Sequence, residues 1–174
     1  MQVRDIMHTD VKTTSPSDTF EHVASVLREN GISSVIVMDA GTLAGIVTER
    51  DLVNLVADGG DPRATTVAER MSTDLDTVDP KTDIAEAADH MARLKIRHLP
   101  VVQDGQLTGI ISIRDLTNWA VHELTSGHEL PDLERSHSAL SAAAEVIAYR
   151  WYERWANHAG NPRSRTPRIT ATPL

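Results

Sequence analysis

Two seven-residue stretches hold most of the side chains in this sequence that are suited to chemistry. They are Gly45-Ile46-Val47-Thr48-Glu49-Arg50-Asp51 and Gly109-Ile110-Ile111-Ser112-Ile113-Arg114-Asp115. Each presents a hydroxyl (Thr48, Ser112) followed three residues later by a carboxylate (Asp51, Asp115). A helix opening at these points offers free backbone N–H groups and a dipole that attract phosphate. The hydroxyl adds a hydrogen bond, and the carboxylate can accept from both hydroxyls of a ribose. Such a set suits a phosphorylated nucleoside. The same spacing is that of a helix capping box, which accounts for it without any ligand. The two roles are compatible, since a capping oxygen can also serve a ligand.

The elements that must position these residues come in two copies. Set against itself at an offset of 64, the chain gives 17 identities over 52 aligned positions without a gap. Val3 meets Val67, Met7 meets Met71, Thr9-Asp10 meets Thr73-Asp74, and Gly45-Ile46 meets Gly109-Ile110. The register ends with Arg50-Asp51-Leu52 on Arg114-Asp115-Leu116 and Asn54 on Asn118. Matches spread this evenly over turn and helix-start residues indicate a tandem duplication.

Each copy reads alike. Residues 18–30 carry Phe20, Val23, Ala24 and Leu27 at helical spacing, with Gly31 as a stop, and residues 82–94 repeat this with Ile84, Ala87, Ala88 and Met91. Two short β-rich runs follow (34–38 and 43–47; 98–102 and 107–111), joined by Asp39-Ala40-Gly41 and by Asp104-Gly105, a good hairpin signal. Further helices start near Glu49 and Ile113. The fold class is therefore α/β, with two strand-helix-strand-strand-helix units. A unit this small leaves a sheet face uncovered, which the two copies can bury against each other.

Composition narrows the function. The 174 residues carry 17 Lys+Arg, 25 Asp+Glu and no cysteine, for a formal charge of −8. That excludes disulfides, thiolate metal sites and cysteine nucleophiles, and disfavours nucleic acid or anionic membrane as partner. No apolar run reaches the roughly 20 residues that span a bilayer, and no signal-peptide stretch follows Met1; the expected location is cytoplasmic. There is no P-loop, no Gly-x-Gly-x-x-Gly and no arrangement of Ser, His and Asp. His122-Glu123-Leu124 and His128-Glu129-Leu130 lack the spacing of a zinc site. Neither catalysis nor a metal is expected.

The two units resemble a tandem pair of CBS domains. The resemblance rests on the Val-x-x-x-Met openings (Val3 to Met7, Val67 to Met71), the Gly-apolar-apolar-Thr/Ser-x-x-Asp endings, and Arg97-His98-Leu99-Pro100-Val101-Val102. It covers residues 1 to about 122. It implies a Bateman module, two units packed sheet to sheet about a pseudo-twofold axis, with two clefts between them. It also implies a homodimer, no required cofactor, and an adenine nucleotide (AMP, ADP or ATP) as regulatory ligand whose binding is signalled to a partner. The alternatives are a structural or dimerisation module without nucleotide, or a module for S-adenosylmethionine or a dinucleotide. By carry-over, Asp51 and Asp115 hold ribose hydroxyls, Thr48 and Ser112 meet phosphate or ribose, and Arg97 and His98 face phosphate. The backbone at Thr13, Thr14, Thr77 and Val78, with Val35, Val37 and the stretch from Leu99 through Pro100 to Val101, walls the adenine.

Copy one has Ser33-Ser34 where copy two has Arg97-His98. This predicts unequal clefts, with phosphate favouring the one that Arg97 and His98 face. Arg50 and Arg114 are further cations or simply solvated, and His98 fits a buried, backbone-satisfied histidine as well as a phosphate contact.

The boundaries expected are unit one at 1–57, a linker at 58–66, unit two at 67–122, a linker at 123–137, a helix at 138–159 and a disordered tail at 160–174. Of the six aromatic residues, Tyr149, Trp151, Tyr152 and Trp155 fall in that last helix. It suits packing on its own module or a dimer partner, or docking to another protein. Arg163, Arg165 and Arg168 give the tail three positive charges and no acid, which leaves 14 basic against 25 acidic residues before it.

Overall fold

The computed structural model describes residues 1–125. The aromatic helix and the basic tail expected after residue 137 lie outside the described residues. Within them the architecture is α/β, as the sequence predicts. Strand β1 (Thr13–Thr14) precedes α1 (Phe20–Asn30), the hairpin β2 (Ser34–Asp39) and β3 (Thr42–Thr48), and α2 (Glu49–Ala57). The second half repeats this with α3 (Ile84–Leu94), β4 (His98–Gln103), β5 (Gln106–Ser112) and α4 (Ile113–Thr125). Helix α4 runs into the segment expected to be linker.

The first sheet has the order β1-β2-β3, with β1 parallel to β2 and β3 antiparallel. The second is the antiparallel pair β4-β5. Its counterpart of β1 shrinks to a single parallel bridge, Val78 to Val101, at the position equivalent to Thr14 on Val37. Each hairpin shifts register at the same place, between Val37 and Met38 and between Val101 and Val102.

Each half has its own core. Phe20, Val23, Leu27, Val35, Val37, Val47 and Leu55 pack in the first; Ile84, Ala87, Met91, Leu99, Val101, Ile111 and Leu116 in the second. Each large side chain removed from water contributes roughly 1.5–3 kcal/mol. The cores are completed by exchange. A short 3-10 turn at Val3–Asp5 leaves its own repeat, and Val3 is fully buried in the second core. The matching turn at Val67–Glu69 leaves the second repeat, and Val67 is fully buried in the first core. Backbone bonds secure both hooks in the same way: Val3 and Arg4 amides donate to Thr82 and Pro80 carbonyls, Val67 and Ala68 amides to Asp18 and Pro16.

Beyond its turn each hook adds a bridge to the other half's hairpin. His8 pairs with Ile110 on β5, and Ser72 with Ile46 on β3. The approach is close enough to demand glycine. A Cβ at Gly45 would stand 2.8 Å from the Met71 sulfur and 2.9 Å from the Ser72 carbonyl oxygen; at Gly109 it would meet Met7 and His8 at the same distances. The repeated Met and Gly of the sequence are thus partners across the exchange.

Candidate functional site

The helix starts form as capping boxes. The Asp51 Oδ2 accepts from the Thr48 amide and hydroxyl, both at 2.7 Å. The Asp115 Oδ2 accepts from the Ser112 amide at 2.7 Å and its hydroxyl at 2.6 Å. In each carboxylate Oδ2 is committed to the helix; the second oxygen of Asp115 accepts from His8 Nε2 at 2.9 Å, whereas no such bond meets that of Asp51 among the described residues.

Two clefts stand where the units meet. The Asp115 cleft, of about 380 Å³, combines Ser112, Arg114 and Asp115 with Asp10, Val11 and Lys12 from the hook segment and residues 30–34 from the start of β2. The Asp51 cleft, of about 280 Å³, combines Thr48, Arg50 and Asp51 with Asp74, Leu75 and Asp76 and residues 95–98 from the start of β4. Both fall near the range of small-molecule sites. Each takes its helix start from one half and the facing strand start from the other, so a ligand in either touches both.

A profile of the CBS domain matches residues 3–58 and again residues 67–122. The chain belongs to the CBS domain family. It is 31% identical over 135 residues to a CBS domain-containing protein of Bacillus subtilis, covering 78% of this chain and 96% of that one. Among solved structures it is similar to a protein with CBS domains from Burkholderia ambifaria, at 30% identity and a TM-score of 0.67, covering 74% of this chain and 97% of that one. The CBS domain pair of the protein MJ0100, solved with 5'-methylthioadenosine and S-adenosyl-L-methionine, shares the fold at 24% identity and a TM-score of 0.64, covering 68% of this chain and 94% of that one. This chain is accordingly a tandem CBS pair, of the general class of ligand-binding regulatory domains.

The CBS clefts gather part of the residue set expected from the sequence. Thr48, Asp51 and Pro100 line one, and Ser112 and Asp115 the other. Arg97 and His98 line both, because they stand where the two clefts adjoin. The expectation that they face a single cleft is corrected accordingly. His98 shares a hydrogen bond of 2.9 Å with Ser33 of the other half. Burial, and secondarily the Arg97 charge, push its pKa down from 6.5 to about 4. It is a neutral hydrogen-bonding partner between the units, not a cation.

Thr13, Thr14, Thr77, Val78, Val35 and Val37 do not line either cleft. Val35, Val37 and Val78 belong to the cores, as do Leu99 and Val101. The Thr14 hydroxyl donates to Asp18, whose carboxyl is held below the usual range by the Ser15 amide first and by Thr14 second. The cleft walls are instead made by the residues just before these, Asp10 to Lys12 and Asp74 to Asp76. Their signal was present in the repeat, as Thr9-Asp10 on Thr73-Asp74, but nothing in their type announced a cleft.

The clefts differ in charge through substitutions between the repeats. Lys12 stands where the other copy has Asp76, and Gly31 where it has Lys95. The Asp115 cleft is lined by Lys12, Arg97 and Arg114 against Asp10 and Asp115. The Asp51 cleft has Arg50, Lys95 and Arg97 against Asp51, Asp74 and Asp76. Among the described residues no group of His, Asp and Glu could hold a metal ion, and no helix is long and apolar enough to cross a membrane.

Proposed function

We propose that this CBS pair is a regulatory sensor of adenine nucleotides of the AMP, ADP and ATP class, without catalysis of its own. The observation that carries the reading is the composition of each cleft: a helix-start carboxylate in the lining, with arginine beside it and walls from both halves. The carboxylate suits a ribose diol, and the helix start and arginines suit phosphate. A ligand spanning the two halves favours whichever arrangement of them it fits better, and the shift is limited by its differential affinity. The MJ0100 pair was solved with two adenosyl compounds, neither of which carries phosphate; they support the adenosine part of this reading.

The capping boxes themselves support the other reading, a structural module in which Asp51 and Asp115 serve only their helices. Thermal unfolding with and without AMP, ADP, ATP and S-adenosyl-L-methionine separates the two. A nucleotide is expected to raise the Tm by several degrees. Asp51→Asn with Asp115→Asn, which keeps an acceptor at each cap, is expected to abolish that rise while leaving the unliganded Tm within about 2 °C. A Tm indifferent to every nucleotide overturns the sensor.

A further inference from the structure

The two carboxylates share a cap geometry but differ in what meets their second oxygen. His8 Nε2 donates to Asp115 Oδ1 at 2.9 Å. The hook places it there: His8 and Ile110 exchange both backbone hydrogen bonds at 2.9 Å, so the residue is fixed at the edge of β5 beside the helix start. At the equivalent position of the other cleft stands Ser72, with the same backbone pairing to Ile46. Asp51 Oδ1 has no partner there among the described residues.

We infer that His8 is the residue that sets ligand selectivity in the Asp115 cleft, admitting nucleosides that carry phosphate and disfavouring uncharged ones. The inference rests on the sensor reading and refines it. A ribose entering the Asp51 cleft finds a carboxylate oxygen ready to accept. A ribose entering the Asp115 cleft must take the place of the imidazole, which loses its acceptor. The His8 side chain is two-thirds exposed, so it can swing without disturbing a core. Lys12, Arg97 and Arg114 line the same cleft, and a phosphate held near them restores an acceptor to His8. An uncharged nucleoside offers no such return. The exposure of the His8 side chain keeps the pair weak, which sets the selectivity it can impose at about three- to fivefold.

The test is calorimetric titration of the full chain with adenosine and with AMP, in the wild type, His8→Ser and Ser72→His, with Asp51→Asn assigning the clefts and unfolding curves checking that each variant is folded. In the wild type AMP is expected to fill both clefts and adenosine to favour the Asp51 cleft. His8→Ser is expected to raise adenosine affinity at the Asp115 cleft about three- to fivefold and lower that of AMP. Ser72→His is expected to weaken adenosine at the Asp51 cleft by a similar factor. If AMP binds and His8→Ser leaves both ligands unchanged at the Asp115 cleft, the selectivity role is overturned and the sensor stands. If neither ligand binds the wild type, the sensor reading falls and this role with it.

Discussion

Thr48 with Asp51 and Ser112 with Asp115 are the same device built twice, yet a ligand approaching each meets different surroundings. Around Asp51 stand Ser72, Asp76 and Lys95; at the same places around Asp115 stand His8, Lys12 and Gly31. Apart from the first strand, which shrinks to one bridge in the second half, the backbone does not share in this divergence. Hooks, bridges, register shifts and caps recur at the same offset in both halves. Duplication preserved what positions the clefts and let their walls drift apart in charge. Architecture and selectivity therefore reside in separate sets of residues, and each set can be perturbed on its own.

The strongest strain on the equivalence of the halves comes at the crossing points. Gly45→Val and Gly109→Val each force a side chain into a methionine sulfur and a backbone carbonyl, and each is expected to cost about 2–3 kcal/mol in urea unfolding. Losses that differ by more than about 1 kcal/mol between the two would show that the hooks do not bear equally on their partner halves.

A smaller effect belongs to one half alone. His98 has no histidine counterpart, since Ser34 occupies the equivalent place. Its folded pKa, about 4, lies below the ordinary 6.5, so the unfolded chain takes up a proton that the folded chain refuses. Stability is accordingly greatest above pH 6.5, falls as the pH drops from about 6.5 to about 4, and levels below that. Between pH 7 and pH 4.5 the expected loss from this group is about 2 kcal/mol. His98→Gln, compared with the wild type by unfolding at pH 7 and pH 4.5, should remove that part of the decline; identical declines would refute the assignment.

The smallest difference lies at the ends of α1 and α3. Both close on a left-handed residue, Gly31 at φ 62° in one and Lys95 at φ 58° in the other. Lysine bears a steric cost there that glycine avoids. Lys95→Gly is expected to gain about 0.5 kcal/mol, the relief being partly offset by a freer unfolded chain, and Gly31→Lys to lose about 1 kcal/mol. Thermal melts of the pair measure the contrast directly.

Much of this was legible in the sequence because it is local or periodic. Helix spacing, the hairpin turns, and the Thr48/Asp51 and Ser112/Asp115 pairs all depend on neighbours within a few residues. The exchange of hooks was not, because nothing between residues 3 and 7 encodes that Val3 joins the core of Ile84 and Leu99 rather than that of its own helix. The matched Met7 with Gly109 and Met71 with Gly45 are the trace it left, readable only once two distant segments are known to touch. For the same reason the family resemblance points to Thr13 and Thr14 as walls, where the cleft is lined by Asp10 to Lys12. The strand made by the two threonines turns Thr14 inward, to Asp18, and leaves the lining to what precedes it.

The hooks carry one more consequence. A single repeat, folded alone, has a hole in its core where a valine from elsewhere must sit, and a valine of its own with nowhere to go. Two separate copies of such a chain satisfy each other by trading ends. The tandem protein holds within one molecule an exchange that two separate repeats would have to make between molecules, with residues 58–66 as the tether.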